Sequence, residues 1–272
     1  MKLGYQTNTW GGVVGHPAGV TSIKDQYYLT NGSTEEAVED IASAGYKGIE
    51  IFEGNLVQYE NRISEFKELL KTHSLTLIGV YTGANFIYRE ILEEELAKIE
   101  RVAKLAAELG AEHLVIGGGA IRSKGIEDTD YKLLAEGLNQ AINIAETYNL
   151  VASYHPHLGS MVETPEQLEK LLKYTDINLC PDTAHIEAGG GDPVEFIRKY
   201  YDRIKYVHLK DCNKTGEFLP LGEGHQDFPT MIKLLKDVGY KGWITVELDS
   251  YPNPAKGAQQ SKGYLLNNFQ LK

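Results

Sequence analysis

Cysteine is scarce in this chain: Cys180 and Cys212 are the two present among 272 residues. Each sits in or just after an apolar, strand-like run, so neither a disulfide framework nor a CxxC metal site can be built, and a reducing cytoplasm is the expected compartment. Long hydrophobic runs are also lacking. No stretch approaches the roughly 18 consecutive apolar residues of a membrane span, and the opening MKLGYQTNTWGG has no charged segment leading into a long apolar one. Neither a standard export signal nor an embedded protein is expected. Positive charge is in deficit: Lys+Arg 27 against Asp+Glu 38 gives a net charge of -11, a field that repels phosphate backbones and anionic membrane surfaces. Nucleic acid and membranes are therefore not expected partners. No low-complexity linker or charge block marks a boundary, and one domain over 1–272 is the expectation.

What is present is an alternation of short β-branched or aromatic runs with longer segments of helical period. Strands are predicted at LGYQTN (3–8), GIEIF (48–52), LTLIGVY (75–81), HLVIGG (113–118), LVASYH (150–155), INLCPD (177–182), IKYVHL (204–209) and WITVEL (243–248). Between them, STEEAVEDIASAG opens on a Ser or Thr cap and closes on Gly45, EELAKIERVAKLAAELG closes on Gly110, and FPTMIKLLKDVG closes on Gly239. TPEQLEKLLKY carries Pro165 in its first turn, where a missing N–H does no harm. AGYKGIEI (44–51) and VGYKGWITVEL (238–248) share a helix-ending glycine, a Tyr-Lys-Gly turn and an apolar strand carrying a glutamate. Eight strand and helix pairs in this length predict an α/β fold, a (β/α)8 TIM barrel, with a doubly wound open sheet as the alternative. The irregular stretch 11–32 is expected to be a loop over the barrel mouth.

In such a barrel the active site gathers at the C-terminal ends of the strands. Four consecutive strands there each present an imidazole or a carboxylate: His155, Asp182 in CPDTAH, His208 in YVHLKD, and Glu247 in ITVELD. Taken singly, each is more simply a capping or hydrogen-bonding residue. Taken together they would repel one another or stay unpaired without a cation, and two nitrogens with two carboxylates suit Mn2+, Co2+, Fe2+ or Zn2+ better than Ca2+. VIGGGA (115–120) lacks the spacing of a dinucleotide or phosphate loop. EAGGGDP (187–193) is expected to be a flexible loop after a strand, ending at a helix cap. PLGEGHQDF is read as a solvated turn, with Glu223 or His225 as its candidates for reaching substrate.

The elements NLVASYHPHLGSMVET, CPDTAHI, YVHLKD, LGEGHQDF and YKGWITVELDSYPNP, covering most of 149–254, resemble in order those of the xylose isomerase-like barrels. That superfamily includes sugar epimerases, sugar isomerases, endonuclease IV and inosose dehydratases; the N-terminal half matches more weakly, through GIEIF. The Tyr-His-x-His ending of strand five is most similar to the inosose (2-keto-myo-inositol) dehydratases of inositol catabolism. The resemblance implies a metal site at His155, Asp182, His208 and Glu247, with Mn2+ or Co2+ favoured. The family's usual pattern has a glutamate where this chain has His155. A symmetrical exchange of protons between two carboxylates, as in the epimerases and isomerases, is then less suited than one base working with a separate acid.

The expected reaction is therefore a metal-dependent hydro-lyase step on a keto-polyol or sugar: metal-stabilised enediolate formation, then β-elimination of hydroxide. Glu247 is the first candidate base, and His185 or His157 the acid. Lys210 is assigned either to a substrate oxyanion or to a salt bridge with Asp211 or Glu247. Glu50 would meet substrate hydroxyls or, preferably, orient a ligand histidine; Trp10 would wall the pocket or serve as a core aromatic. A ketose epimerase or isomerase on the same site is the alternative. An endonuclease IV-like repair activity is opposed by the chain's acidity, and a non-catalytic sugar-binding barrel is the remaining reading. Assembly into a homo-oligomer is left open.

Overall fold

The computed structural model describes residues 1–11 and 27–271. Its strands are β1 (Lys2–Gln6), β2 (Gly48–Phe52), β3 (Thr76–Gly83), β4 (His113–Gly117), β5 (Val151–Tyr154), β6 (Asn178–Leu179), β7 (Val207–Leu209), β8 (Asp211–Cys212), β9 (Phe218–Leu219) and β10 (Trp243–Val246). The helices are α1 (Thr34–Ser43), α2 (Glu53–Val57), α3 (Ile63–Thr72), α4 (Leu92–Glu108), α5 (Asp128–Thr147), α6 (Pro165–Leu171), α7 (Thr183–Ala188), α8 (Pro193–Tyr200), α9 (Phe228–Asp237) and α10 (Pro254–Phe269). Eight strands pair in parallel in the order β6-β5-β4-β3-β2-β1-β10-β7. Isolated parallel bridges, Leu179 to Ile204 and Asp182 to His208, join β6 to β7 and bring the two edges of the sheet together. The predicted α/β barrel is the fold observed, and the open-sheet alternative is not.

Local chemistry explains the alternation. The barrel strands are buried on both faces, so β2 and β4 read as continuous apolar runs broken only where a polar group has a task. Ser33 caps α1 by accepting from the Glu36 N–H at 3.1 Å, and Gly45 ends the helix at φ +90, where a side chain would be strained. Thr164 and Gln167 form a reciprocal capping box on α6 around Pro165. The Tyr-Lys-Gly echo also has a structural meaning: β2 and β10, which follow its two copies, are the two neighbours of β1.

Two expectations need correction. EAGGGDP is not a loop following a strand: Glu187 and Ala188 belong to α7, and the glycines connect α7 to α8, whose first turn is capped by Asp192. A short antiparallel hairpin, β8 with β9, was not expected; strands of two residues are too brief to leave a period in the sequence. The mouth loop assigned to 11–32 lies mostly, over 12–26, outside the described residues, although Tyr28 from its end faces the cavity.

Candidate metal centre and active site

At the C-terminal ends of the strands, His155, Asp182, His208 and Glu247 converge, with one ligand atom of each lying within 4.8 Å of the others. Their backbones are fixed by the barrel's own ladder. The His155 N–H donates to the Ile116 carbonyl at 2.8 Å, that of His208 to Pro181 at 2.9 Å, and that of Glu247 to Leu209 at 3.0 Å. Asp182 is held differently: its Oδ1 caps α7 by accepting from the Ala184 and His185 N–H groups at 3.0 and 2.9 Å, leaving Oδ2 for other work.

The side chains are buried, yet their inward atoms are unpaired. Both ring nitrogens of His155, Oδ2 of Asp182, Nδ1 of His208 and Oε2 of Glu247 have no hydrogen-bond partner among the described residues. Buried polar atoms are seldom left so, and four unpaired sets meeting at one point call for a cation. His208 shows the pattern most clearly. Its Nε2 meets Glu50 Oε2 at 2.8 Å, while Nδ1 lies 2.6 Å from Glu247 Oε2 in an orientation that makes no hydrogen bond. With one proton, on Nε2, a nitrogen lone pair and a carboxylate oxygen would face each other, and either a second proton on the ring or a shared metal ion turns that contact favourable. The spacing and the nitrogen and oxygen donors therefore fit a divalent transition metal.

The electrostatics express the same demand for positive charge. Burial opposes charge on His208, but Cys180, Glu50 and Glu247 outweigh it and hold the imidazole well above its ordinary value. Burial would likewise raise the Glu247 carboxyl, yet Lys210 and His208 hold it well below the usual carboxylate range. His155 and His185 are pushed well below the ordinary imidazole value, by burial first and then by neighbouring cations, and are neutral.

Lys210 is the hub beside this centre. Fully buried, its Nζ donates to Asp249 Oδ1 at 2.6 Å, His185 Nε2 at 3.0 Å and Glu247 Oε1 at 3.2 Å, and lies 3.6 Å from Asp182 Oδ2. An ammonium has three N–H groups, and all three are engaged, so the oxyanion role is not what its geometry offers. Nor is Asp211 its partner: that carboxylate accepts the N–H groups of Gly222 and Gly224 instead. Because Lys210 donates to His185 Nε2, the His185 proton sits on Nδ1. In His157 the Nδ1–H points to the Leu158 carbonyl at 2.8 Å, which leaves Nε2 as an acceptor. The two rings stand side by side, 3.8 Å between centroids.

A cavity of about 460 Å3 opens onto Glu247, Asp249, His157 and His185. Tyr28, Phe52, Tyr81 and Phe218 supply aromatic wall, and Asn85, Gly118 and Gly119 supply polar edges. Glu50 is fully buried against His208 and does not reach the cavity. Trp10 is packed edge-on to Tyr5, with its indole N–H on Asp40 at 2.9 Å, and lies away from the described lining. Glu223 is exposed, where Gln260 donates to it at 2.6 Å, and His225 is turned to Glu187. Substrate contact by Glu50, Trp10 and Glu223 is thus not what the geometry offers. The strand-end rule should have found two further residues: Asn8, whose Nδ2 reaches Glu247 Oε1 at 3.2 Å, and Asp249. Cys180, dismissed with the apolar runs, lies close to His155 and His208.

Known proteins share this framework. An inosose dehydratase from Clostridium beijerinckii is 30% identical over 267 residues, spanning 85% of this chain and 88% of its own. Among solved structures, the probable 3-DHS dehydratase AsbF from Bacillus anthracis superposes with a TM-score of 0.76 at 18% identity, covering 99% of this chain and 100% of that one. The IOLI protein, solved with a zinc atom, gives 0.76 at 19% identity over 98% of this chain and 97% of its own. The sequence model of the xylose isomerase-like TIM barrels matches residues 38–268, and with the barrel and its strand-end cluster in view, this chain belongs to that family.

Proposed function

We propose that the protein is a metal-dependent hydro-lyase that dehydrates inosose (2-keto-myo-inositol) or a related keto-polyol, working with Mn2+ or Co2+ in the cytoplasm. The observation that carries this reading is the meeting of four buried side chains whose unpaired atoms face one another within 4.8 Å. Support for a dehydratase comes from relatives at 30% identity that are inosose dehydratases, and from His155 at the strand-five end, where the resemblance to the epimerases and isomerases implies a glutamate. A divalent cation held by His155, Asp182, His208 and Glu247 would supply a Lewis acid beside a substrate carbonyl, favouring loss of the adjacent C–H proton.

The remaining steps belong to the chain's own residues. Glu247, kept ionised, takes the C–H proton. Its Oε1 is steadied by Lys210 and Asn8, so the carboxylate is held in one orientation before substrate arrives. His185 passes its Nδ1 proton to the departing β-hydroxyl, which leaves as water, while its Nε2 takes a proton from the Lys210 ammonium that donates to it, so the ring never becomes an anion. Lys210 thus both fixes that tautomer and restores the ring's proton. His157 Nε2 accepts from a substrate hydroxyl, and the aromatic wall excludes bulk water.

The test is direct. Purified protein incubated with Mn2+ or Co2+ and 2-keto-myo-inositol should develop a dione chromophore. Absence of that product, with deuterium exchange at C3 of a ketohexose instead, would move the assignment to an epimerase or isomerase on the same site.

A further inference from the structure

A second group of metal-binding side chains lies outside the centre described above. Glu187 on α7, Cys212 on β8 and His225 in the segment before α9 bring a carboxylate oxygen, a thiol sulfur and an imidazole nitrogen within 4.8 Å of one another. Three separate elements contribute one ligand type each, as metal sites do and as local sequence chemistry does not.

The details favour coordination. His225 Nδ1 lies 2.7 Å from the Cys212 carbonyl, so that nitrogen carries a proton and Nε2 is left to act. A backbone carbonyl fixing the far nitrogen of an imidazole is the usual support of a metal-bound histidine. Nε2 then sits 2.7 Å from Glu187 Oε1, a lone pair against a carboxylate unless a cation or a second proton lies there. Gln226, buried behind the cluster, touches both Glu187 and the Cys212 sulfur, at 3.4 Å from the latter, and its Oε1 is buried without a partner. The Glu187 and His225 side chains are about a third exposed, 36% and 33%, which gives an ion a way in.

We propose that Glu187, Cys212 and His225 form a second divalent-cation site of the zinc class, which ties α7 to the β8 hairpin beside the cavity. A thiolate, an imidazole and a carboxylate together select Zn2+ or Co2+ over Mg2+, Ca2+ or Mn2+. The position gives the site a purpose. α7 also carries His185, and Phe218 of the hairpin forms one wall of the cavity, so a cation here would lock two of its sides together. Binding releases the Cys212 proton to solvent, and the affinity rises with pH.

Titration of the metal-stripped full chain with Co2+, followed by absorbance, tests this. Two equivalents are expected, one of them bringing a thiolate-to-cobalt charge-transfer band in the near ultraviolet. Cys212→Ser should lose that band and one equivalent while keeping the other, which also shows that the variant is folded; Cys180→Ser should keep the band. Should Cys212→Ser bind no cobalt at all, His225→Gln replaces it, with the band weakened at least about tenfold in apparent affinity. Saturation without a thiolate band, a band that persists in Cys212→Ser, or unchanged affinity in His225→Gln would overturn the proposal. None of these results depends on turnover of a sugar.

Discussion

His208 shows how much a single residue's surroundings decide. One ring nitrogen is committed to Glu50 and the other is aimed at Glu247, so the side chain is specified from both ends. Glu50→Gln keeps an acceptor but removes its charge, and it should weaken Mn2+ binding by roughly 10- to 100-fold with an unchanged far-UV circular dichroism spectrum. Calorimetric titration checks this, and affinity within twofold of wild type would refute the orienting role. His208→Ala should abolish turnover. At this scale the sequence was legible wherever a polar residue ended an apolar strand, which is how His155, Asp182, His208 and Glu247 were found. Asn8 and Asp249 obey the same rule, but amide and second-carboxylate positions carry no metal signature of their own. Nothing in linear sequence distinguishes Lys210 saturated by three acceptors from Lys210 with a free N–H.

The eight barrel strands announced themselves at the level of elements because parallel strands buried on both faces are near-continuous apolar runs. Helix ends were equally readable from Ser33, Pro165 and the glycines at 45, 110 and 239, all three with left-handed backbones. The β8 and β9 hairpin was illegible, since it is held by backbone pairing and by the Asp211 carboxylate rather than by any hydrophobic period. An element-level prediction concerns β4, where His113 is buried and stacked on Tyr206. Burial pushes its imidazole from 6.5 down to about 4. Between those values the unfolded chain binds the proton and the folded one does not, so stability falls as pH drops through this window. The loss should reach roughly 3 kcal/mol, and urea denaturation of His113→Phe across the same range should show a shallower slope. An identical slope would mean that His113 is not buried in its neutral form.

For the molecule as a whole, the barrel turns distance along the chain into proximity in space, and this is why motifs spread from 155 to 247 meet at one point. The acidity read from composition agrees with a cavity lined by Glu247 and Asp249 and balanced by buried Lys210, while no described helix is long and apolar enough to cross a membrane. The central claim is that one cation is shared by four strand ends. Anomalous diffraction from crystals grown with Mn2+ tests it most directly. A single dominant peak at about 2.0 to 2.3 Å from a donor atom of each of His155, Asp182, His208 and Glu247 is the predicted result; saturating Mn2+ with no peak among those four side chains would contradict it.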